Sequence, residues 1–315
     1  MSCYRHLTIE EREKLYGFLQ KGISVRKIAK ELDRSPSTIS RELSRNPDYL
    51  PIRAHERYLL CRRNCIRKRL LSDPQLEASV RFFLGHLFWS PEQIANRLRA
   101  EGARTVSTST IYRALDCGLL RDTLRYYLRI KYKTHGKAKK KDRRCFARKI
   151  DERPEAAASR SERGHWEGDT IVSHKSRTVI ATLVDRQSRF LTAGRISSKE
   201  ATDVRAVVVQ LLNKTSYPVK SITFDQGVEF ADAAGMESDL HTMVYFAHPH
   251  APWERPSNEN TNGLLRQFIP KHSDLGNVTD ADLSRFVALI NLRPRKCLNW
   301  STPYEVFSEQ VLHFT

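Results

Sequence analysis

The sequence predicts two architectures in one chain: all-α units in front and an α/β domain behind. Three observations carry that reading. Between residues 7 and 118, apolar residues recur at helical spacing between Ser, Thr or Asp starts and Gly stops. From residue 164 the pattern changes to short β-branched runs separated by turn signals and helical stripes. Charge divides along the same line: residues 1–150 hold 35 Lys and Arg against 15 Asp and Glu, whereas 151–315 hold 19 against 21. A basic front half implies a polyanionic partner, and a near-neutral rear half suits a site that gathers carboxylates.

The front elements come first. Thr8 and Glu11 form a capping box for a helix over 9–19, and Gly22 marks its end. A short helix over 25–32 turns Ile28, Ala29 and Leu32 inward. Ser35 then caps a third helix with Pro36 at its first position. In that helix Ile39 and Leu43 face the core, while Ser37, Thr38, Ser40 and Arg41 face outward. A short polar helix after a tight turn is the recognition element of a helix-turn-helix, so these four residues are the candidate readers of DNA. An ordinary three-helix bundle is the alternative. The pattern recurs at 73–117: Asp73-Pro74 opens one helix, Ser90-Pro91-Glu92-Gln93 a second, and residues 107–109 a third that carries Ile111, Tyr112 and Leu115. This is a second helix-turn-helix-like unit, or else a helical bundle bridging two domains. The expected domains are therefore 1–60, 61–120, a basic linker over 121–160, and 161–315. Within the linker, residues 137–144 hold six Lys and Arg, a run suited to phosphate contact, with a solvated tether as the alternative.

In the rear half, 168–172 is a short strand, and 178–184 and 190–196 form a hairpin around Asp185-Arg186-Gln187-Ser188. A helix over 199–212 carries the stripe Ala201, Val204, Val208, Leu211 and Leu212. Strands over 219–224 and 243–247 come next, then a helix over about 257–268 that Pro270 stops. Three strands, helix, strand, helix, strand, helix is the order of a ribonuclease H-like catalytic domain. That fold builds its metal site from carboxylates at the ends of neighbouring strands and a third on a helix beside them.

Three acidic residues occupy those places. Asp169 ends His165-Trp166-Glu167-Gly168-Asp169. Asp225, 56 positions on, ends Ser221-Ile222-Thr223-Phe224-Asp225. Glu259, 34 further, lies in Asn258-Glu259-Asn260-Thr261-Asn262-Gly263. Two-metal phosphoryl transfer needs hard oxygen ligands converging from separate elements. A carboxylate in a central strand is costly unless paired or metal-bound, which singles out Asp169; Glu167 is expected on the opposite face of the strand. Asp225-Gln226-Gly227 is also ordinary turn chemistry. Arg255, Glu259, Asn262 and Arg266 share one helix face, so Arg255, Asn262 and Arg266 are candidate DNA contacts, with a surface salt-bridge ladder as the alternative. His248 and His250 either touch DNA or shape their loop. The six cysteines form no CxxC pair and no disulfide framework, and Cys61 and Cys65 have no second ligand pair for zinc. With no secretory core and no run of about 18 apolar residues, the expectation is a soluble cytoplasmic, nucleoid-associated protein with no membrane partner.

These motifs together resemble the Asp-Asp-Glu transposases of bacterial insertion sequences, specifically the IS-thirty family. The resemblance runs through Tyr4-Arg5-His6-Leu7-Thr8, the stretch 34–43, Trp89-Ser90-Pro91-Glu92-Gln93-Ile94, Gly164-His165-Trp166-Glu167-Gly168-Asp169, Trp253-Glu254-Arg255 and the stretch 258–267. It implies Asp169, Asp225 and Glu259 as both catalytic residues and metal ligands, with two Mg²⁺ ions for which Mn²⁺ can substitute. It implies a DNA transposase that binds the inverted-repeat ends of its element and catalyses strand cleavage and strand transfer. Its partner would be double-stranded DNA, at the repeats and at the target site. Pairing two ends implies at least a dimer. Two positions depart from the family pattern: Gln226 stands where Asn is common, and Pro256 where Gly is common; neither removes a ligand. A DNA-binding transcriptional regulator with an inactive ribonuclease H-like domain is the second reading, against which the intact triad speaks. A plain metal-dependent nuclease explains the triad but not two DNA-reading units.

Overall fold

The computed structural model describes residues 5–64, 70–120, 148–215, 217–249 and 251–314. The basic stretch 121–147, and with it most of the expected linker, lies outside the described residues, as does His250. The chain divides into two compact units, Met1–Ser72 and Asp73–Thr315.

The front unit holds α1 (Ile9–Gln20), α2 (Val25–Glu31), α3 (Pro36–Arg45) and α4 (Pro51–Asn64). The capping box forms as expected: the Thr8 amide donates to Glu11 Oε2 at 2.7 Å, and the Glu11 amide to Thr8 Oγ1 at 3.2 Å. Gly22 takes a φ of +68°, the left-handed turn that ends α1. Leu15, Ile28, Ala29 and Ile39 make the core, with Leu43 packed half-buried against it. A charged pair also lies in this interior. Arg12 Nε donates to Glu42 Oε1 at 2.6 Å, and Arg12 Nη1 to the Leu7 carbonyl at 2.6 Å. Glu42 thus turns inward from the helix whose outer face carries Arg41.

The rear unit opens with α5 (Pro74–Gly85), α6 (Pro91–Ala100) and α7 (Thr108–Asp116). Asp73, Ser90 and Ser107 cap them as their sequences predict. The compact units divide at 72/73, so α5–α7 belong to the second of them. The reason is a set of polar bonds to the far end of the chain. Trp89 Nε1 donates to the Leu292 carbonyl at 3.1 Å and Gln93 Nε2 to the Pro294 carbonyl at 2.9 Å. Arg97 grips Glu305 with two bonds of 2.8 and 2.6 Å, both side chains being buried.

After α8 (Glu155–Ser159) come β1 (His165–Ile171), β2 (Val179–Asp185), β3 (Leu191–Ile196), α9 (Ala201–Asn213), β4 (Ser221–Phe224), α10 (Ala233–Leu240), β5 (Met243–Phe246), α11 (Pro256–Leu265), α12 (Asp280–Asn291) and α13 (Pro303–Ser308). The sheet order is β3-β2-β1-β4-β5. β1 pairs antiparallel with β2 and parallel with β4, while β5 continues parallel beside β4. This is the ribonuclease H-like arrangement. One face of the sheet packs Trp166, Leu183, Ile222 and Phe224 against Val204 and Val208 of α9. The other packs Ile171, Ile180 and Val184 against Leu264 and Leu265 of α11 and Ile290 of α12. Gly168 is where β1 needs no side chain: a Cβ there would lie 2.1 Å from Phe224 Cε1.

Candidate active site

β1 and β4 run parallel and adjacent, so their C-terminal ends carry Asp169 and Asp225 to neighbouring positions at one edge of the core. α11 lies along β1 and supplies the groups that hold them. Arg255, at its N-cap, reaches both carboxylates: Nη2 is 3.4 Å from Asp225 Oδ2 and Nη1 is 4.0 Å from Asp169 Oδ1. The same Nη1 donates to the Gly168 carbonyl at 2.7 Å. One turn beyond Glu259, Asn262 Nδ2 donates to Asp169 Oδ2 at 2.9 Å, and Asn262 Oδ1 accepts from the buried Thr182 hydroxyl at 3.0 Å. Thr182 therefore sets the amide's orientation, and the amide sets the carboxylate. Arg266 Nη2 reaches the Val172 carbonyl at 3.4 Å. Arg255, Asn262 and Arg266 thus reach β1 from the flank of α11, while Asn258, Thr261, Leu264 and Leu265 form its buried face.

Asp169 keeps about a quarter of its side-chain surface exposed (27%) but is deeply surrounded by protein atoms. Loss of solvation raises its carboxyl above the ordinary value, with Arg255 pulling down and Asp225 pushing up. A site that crowds carboxylates this way is suited to bound cations.

Glu259 is placed differently. It is exposed on α11 and makes no side-chain hydrogen bond or ion pair with any described residue. Among the described residues, no three His, Cys, Asp or Glu side chains form a group that could hold a metal ion. The structure brings Asp169 and Asp225 together at Arg255, and leaves Glu259 outward on the same helix.

Glu167 corrects the sequence reading. Residues two apart on a strand share a face, so Glu167 lies on the α11 side with Asp169 and not opposite it. Its role is nonetheless distinct. It is fully buried, paired with Arg186, and its Oε2 accepts the Asn258 amide at 3.0 Å near the start of α11. Burial holds the Arg186 guanidinium below its ordinary value even with Glu167 beside it.

Sequence reasoning missed Glu229. Its Oε1 accepts the Thr170 hydroxyl at 3.0 Å, next to Asp169. Gly227 separates it from Asp225: a Cβ there would meet Glu229 Oε2 at 2.5 Å and Asp225 Oδ1 at 2.9 Å. The signal was present as a Glu four residues after Asp225 with a glycine between. Gln226 points away, its amide donating to the Ala247 carbonyl at 3.2 Å. His248 shapes its loop: Nδ1 lies 2.8 Å from Glu254 Oε1 and Nε2 3.1 Å from Asp151 Oδ2. In the front unit, Ser37, Ser40 and Arg41 are exposed and Thr38 half-buried on α3, with the Ser37 and Thr38 hydroxyls 2.9 and 2.8 Å from the capping Ser35 hydroxyl.

Comparisons with known proteins agree with this layout. A helix-turn-helix domain model matches residues 3–46 and an integrase core domain model matches 159–252. The chain is 35% identical to the transposase InsI of insertion sequence element IS30A from Escherichia coli, over 97% of this chain and 84% of that protein. It is 35% identical to the transposase of IS4351 from Bacteroides fragilis (98% and 97%) and 33% to that of IS1086 from Cupriavidus metallidurans (99% and 97%). Among solved structures, the catalytic core domain of BIV integrase is similar at 22% identity and a TM-score of 0.38, covering 46% of this chain and 94% of that one. With a helix-turn-helix ahead of an integrase core and this identity along nearly its full length, the chain belongs to the IS30 family of insertion-sequence transposases.

Proposed function

We propose that Asp169, Asp225 and Glu259 are the catalytic triad of this transposase and hold two divalent cations, Mg²⁺ in the cell with Mn²⁺ able to substitute. When bound, the cations would supply an activated oxygen nucleophile and stabilise the leaving 3′ oxygen of in-line phosphoryl transfer. The residues fit such ions as hard oxygen donors. The observation that carries the reading is the convergence of Asp169 and Asp225, from neighbouring parallel strands, on one guanidinium. Arg255 balances their charge and Asn262 orients Asp169. Glu259 stands one turn from Asn262 on the same helix, free to complete the set. Ser37, Thr38, Ser40 and Arg41 read the inverted repeats, Arg255, Asn262 and Arg266 contact DNA beside the triad, and a dimer or larger assembly pairs two ends at the nucleoid.

The test uses full-length Asp169→Asn, Asp225→Asn and Glu259→Gln variants. Each should lose strand cleavage, keep binding to element ends, and take up less Mn²⁺ in paramagnetic titration. Full cleavage by any one removes that residue from the triad. A second reading, a DNA-binding regulator, draws support from the outward placement of Glu259. It predicts that the unaltered protein binds element ends but neither binds Mn²⁺ nor cleaves.

A further inference from the structure

Behind α11, on the side away from the carboxylates, lies a cavity of about 180 Å³. That is the space of several water molecules at roughly 30 Å³ each, enough for a phosphate group. Three arginines line it from separate places in the chain: Arg160 at the end of α8, Arg189 in the β2–β3 turn, and Arg295 beyond α12. Ser257, Asn260 and Thr261 of α11 form the opposite wall. These α11 positions lie across the helix from Arg255 and Asn262. No carboxylate is among the lining residues.

Arg160 and Arg189 act on each other as like charges in a cavity whose lining holds no carboxylate, so the arrangement suits a negative partner. Glu167 is near enough to act on Arg160, but it is already paired with Arg186. Burial, then Arg189 and Arg186, lower the Arg160 guanidinium from its ordinary value, as expected where positive charge is concentrated. Arg189 is fixed by a bond to the Ser257 hydroxyl, and Arg295 Nη2 donates to the Ile290 carbonyl at 3.3 Å. The Arg160 guanidinium makes no hydrogen bond or ion pair with any described residue, and so is available to a ligand. Arg160 and Arg189 also both sit at left-handed φ, 60° and 64°. Such positions favour Gly or Asn; an unfavourable backbone kept under two arginines of one cavity points to use of their side chains.

We propose that this cavity is a second site for a phosphate of the DNA backbone, separate from the carboxylate site and holding a strand on the far side of α11. Guanidinium forks match phosphate oxygens two bonds at a time, and the α11 hydroxyls and amide add donors. A phosphate held here would also brace the helix that carries Glu259. The proposal rests on DNA being the substrate and is independent of the triad.

The experiment measures binding of the full chain to a long duplex of arbitrary sequence across a salt series, with EDTA present so that no divalent cation contributes. The variants are Arg160→Gln and, as a change that leaves every arginine in place, Asn260→Asp. A parallel arm compares melting temperature in inorganic phosphate and in chloride at equal ionic strength. The expected result is a salt slope lower by about one for each variant, as the loss of one phosphate contact requires. The phosphate-specific rise in melting temperature should disappear with it. A slope equal to that of the unaltered protein overturns the proposal. If the phosphate response is lost while the slope stays, the cavity takes a free anion and not a DNA strand, and the proposal again fails. Loss of cleavage in the triad variants with this slope change intact leaves the two sites independently established.

Discussion

Replacing Glu167 by Ala should strongly destabilise the rear unit, although Glu167 stands two residues from Asp169 on the same face of the same strand. The substitution removes the only carboxylate among the described residues that is bonded to the buried Arg186, and frees the Asn258 amide at the start of α11. Arg153 and Arg189 then act on Arg186 as uncompensated like charges. Removing one member of a buried pair costs about 3–5 kcal/mol, a large share of a typical domain stability of about 5–15 kcal/mol. For a unit of this size each kcal/mol lowers Tm by about 2–4 °C, so the expected fall is roughly 6–20 °C. Glu167→Gln keeps an acceptor for Asn258 and should cost less. Asp169→Asn keeps an acceptor in a quarter-exposed position and should change stability by no more than about 1 kcal/mol. Calorimetry and urea unfolding of the full chain, followed by tryptophan fluorescence from the buried Trp166, measure all three. If Glu167→Ala costs under about 1 kcal/mol, or Asp169→Asn costs as much as Glu167→Ala, the division between a structural and a functional carboxylate is wrong.

Three further outcomes are expected. Arg41→Ala should weaken binding to element ends by about 1–3 kcal/mol more than binding to scrambled DNA, since an exposed guanidinium on α3 can grip guanine; equal losses on both DNAs would remove the base-reading role. Gly168→Ala should cost about 1–3 kcal/mol through collision with Phe224, and Phe224→Leu should recover part of that in the double variant; simple additivity by urea unfolding counts against the contact. His248 is held above its ordinary value, first by its hydrogen bond to Glu254 and then by the charges of Glu254 and Asp151. A raised folded value means its support of the 248–254 loop is complete below about pH 6.5 and lost as pH climbs through the raised value. Amide exchange there, corrected for intrinsic rates, should quicken over that window, and His248→Gln should abolish the dependence; an unchanged profile refutes it.

What was legible in the sequence was local or periodic. Thr8 with Glu11 and Ser90 with Gln93 announced their helices because a capping box is contained in four residues. The β-branched run over 179–184 announced the sheet, and Asp225 was visible because it terminates an apolar strand. Glu167 was assigned to the wrong face, although strand alternation alone puts it beside Asp169. What no pattern could show were pairings across the fold: Arg12 with Glu42, Arg97 with Glu305, and the cavity built from Arg160, Arg189 and Arg295. Their spacings match no helical or strand period, so each depends on which elements the fold makes neighbours. α12 and α13 lack the motif residues that drew attention to α11, yet Asn291 of α12 holds both backbone groups of Leu191 at the start of β3.

The grip of Arg97 on Glu305 has a consequence for how the protein is made. The two residues stand 208 positions apart, and Arg97 also bonds the Leu312 carbonyl near the end of the chain. At about 5–20 residues per second, a ribosome that has finished α6 needs roughly 10–40 s more to deliver its partner. Through that interval Arg97 has its neighbour Glu101 as a counter-charge but lacks the two bonds to Glu305. Locking of the rear unit is therefore among the last events of synthesis. A message cut short before codon 305 yields a chain in which Arg97 keeps its pair with Glu101 but loses the bonds that tie α6 to residues two hundred positions downstream.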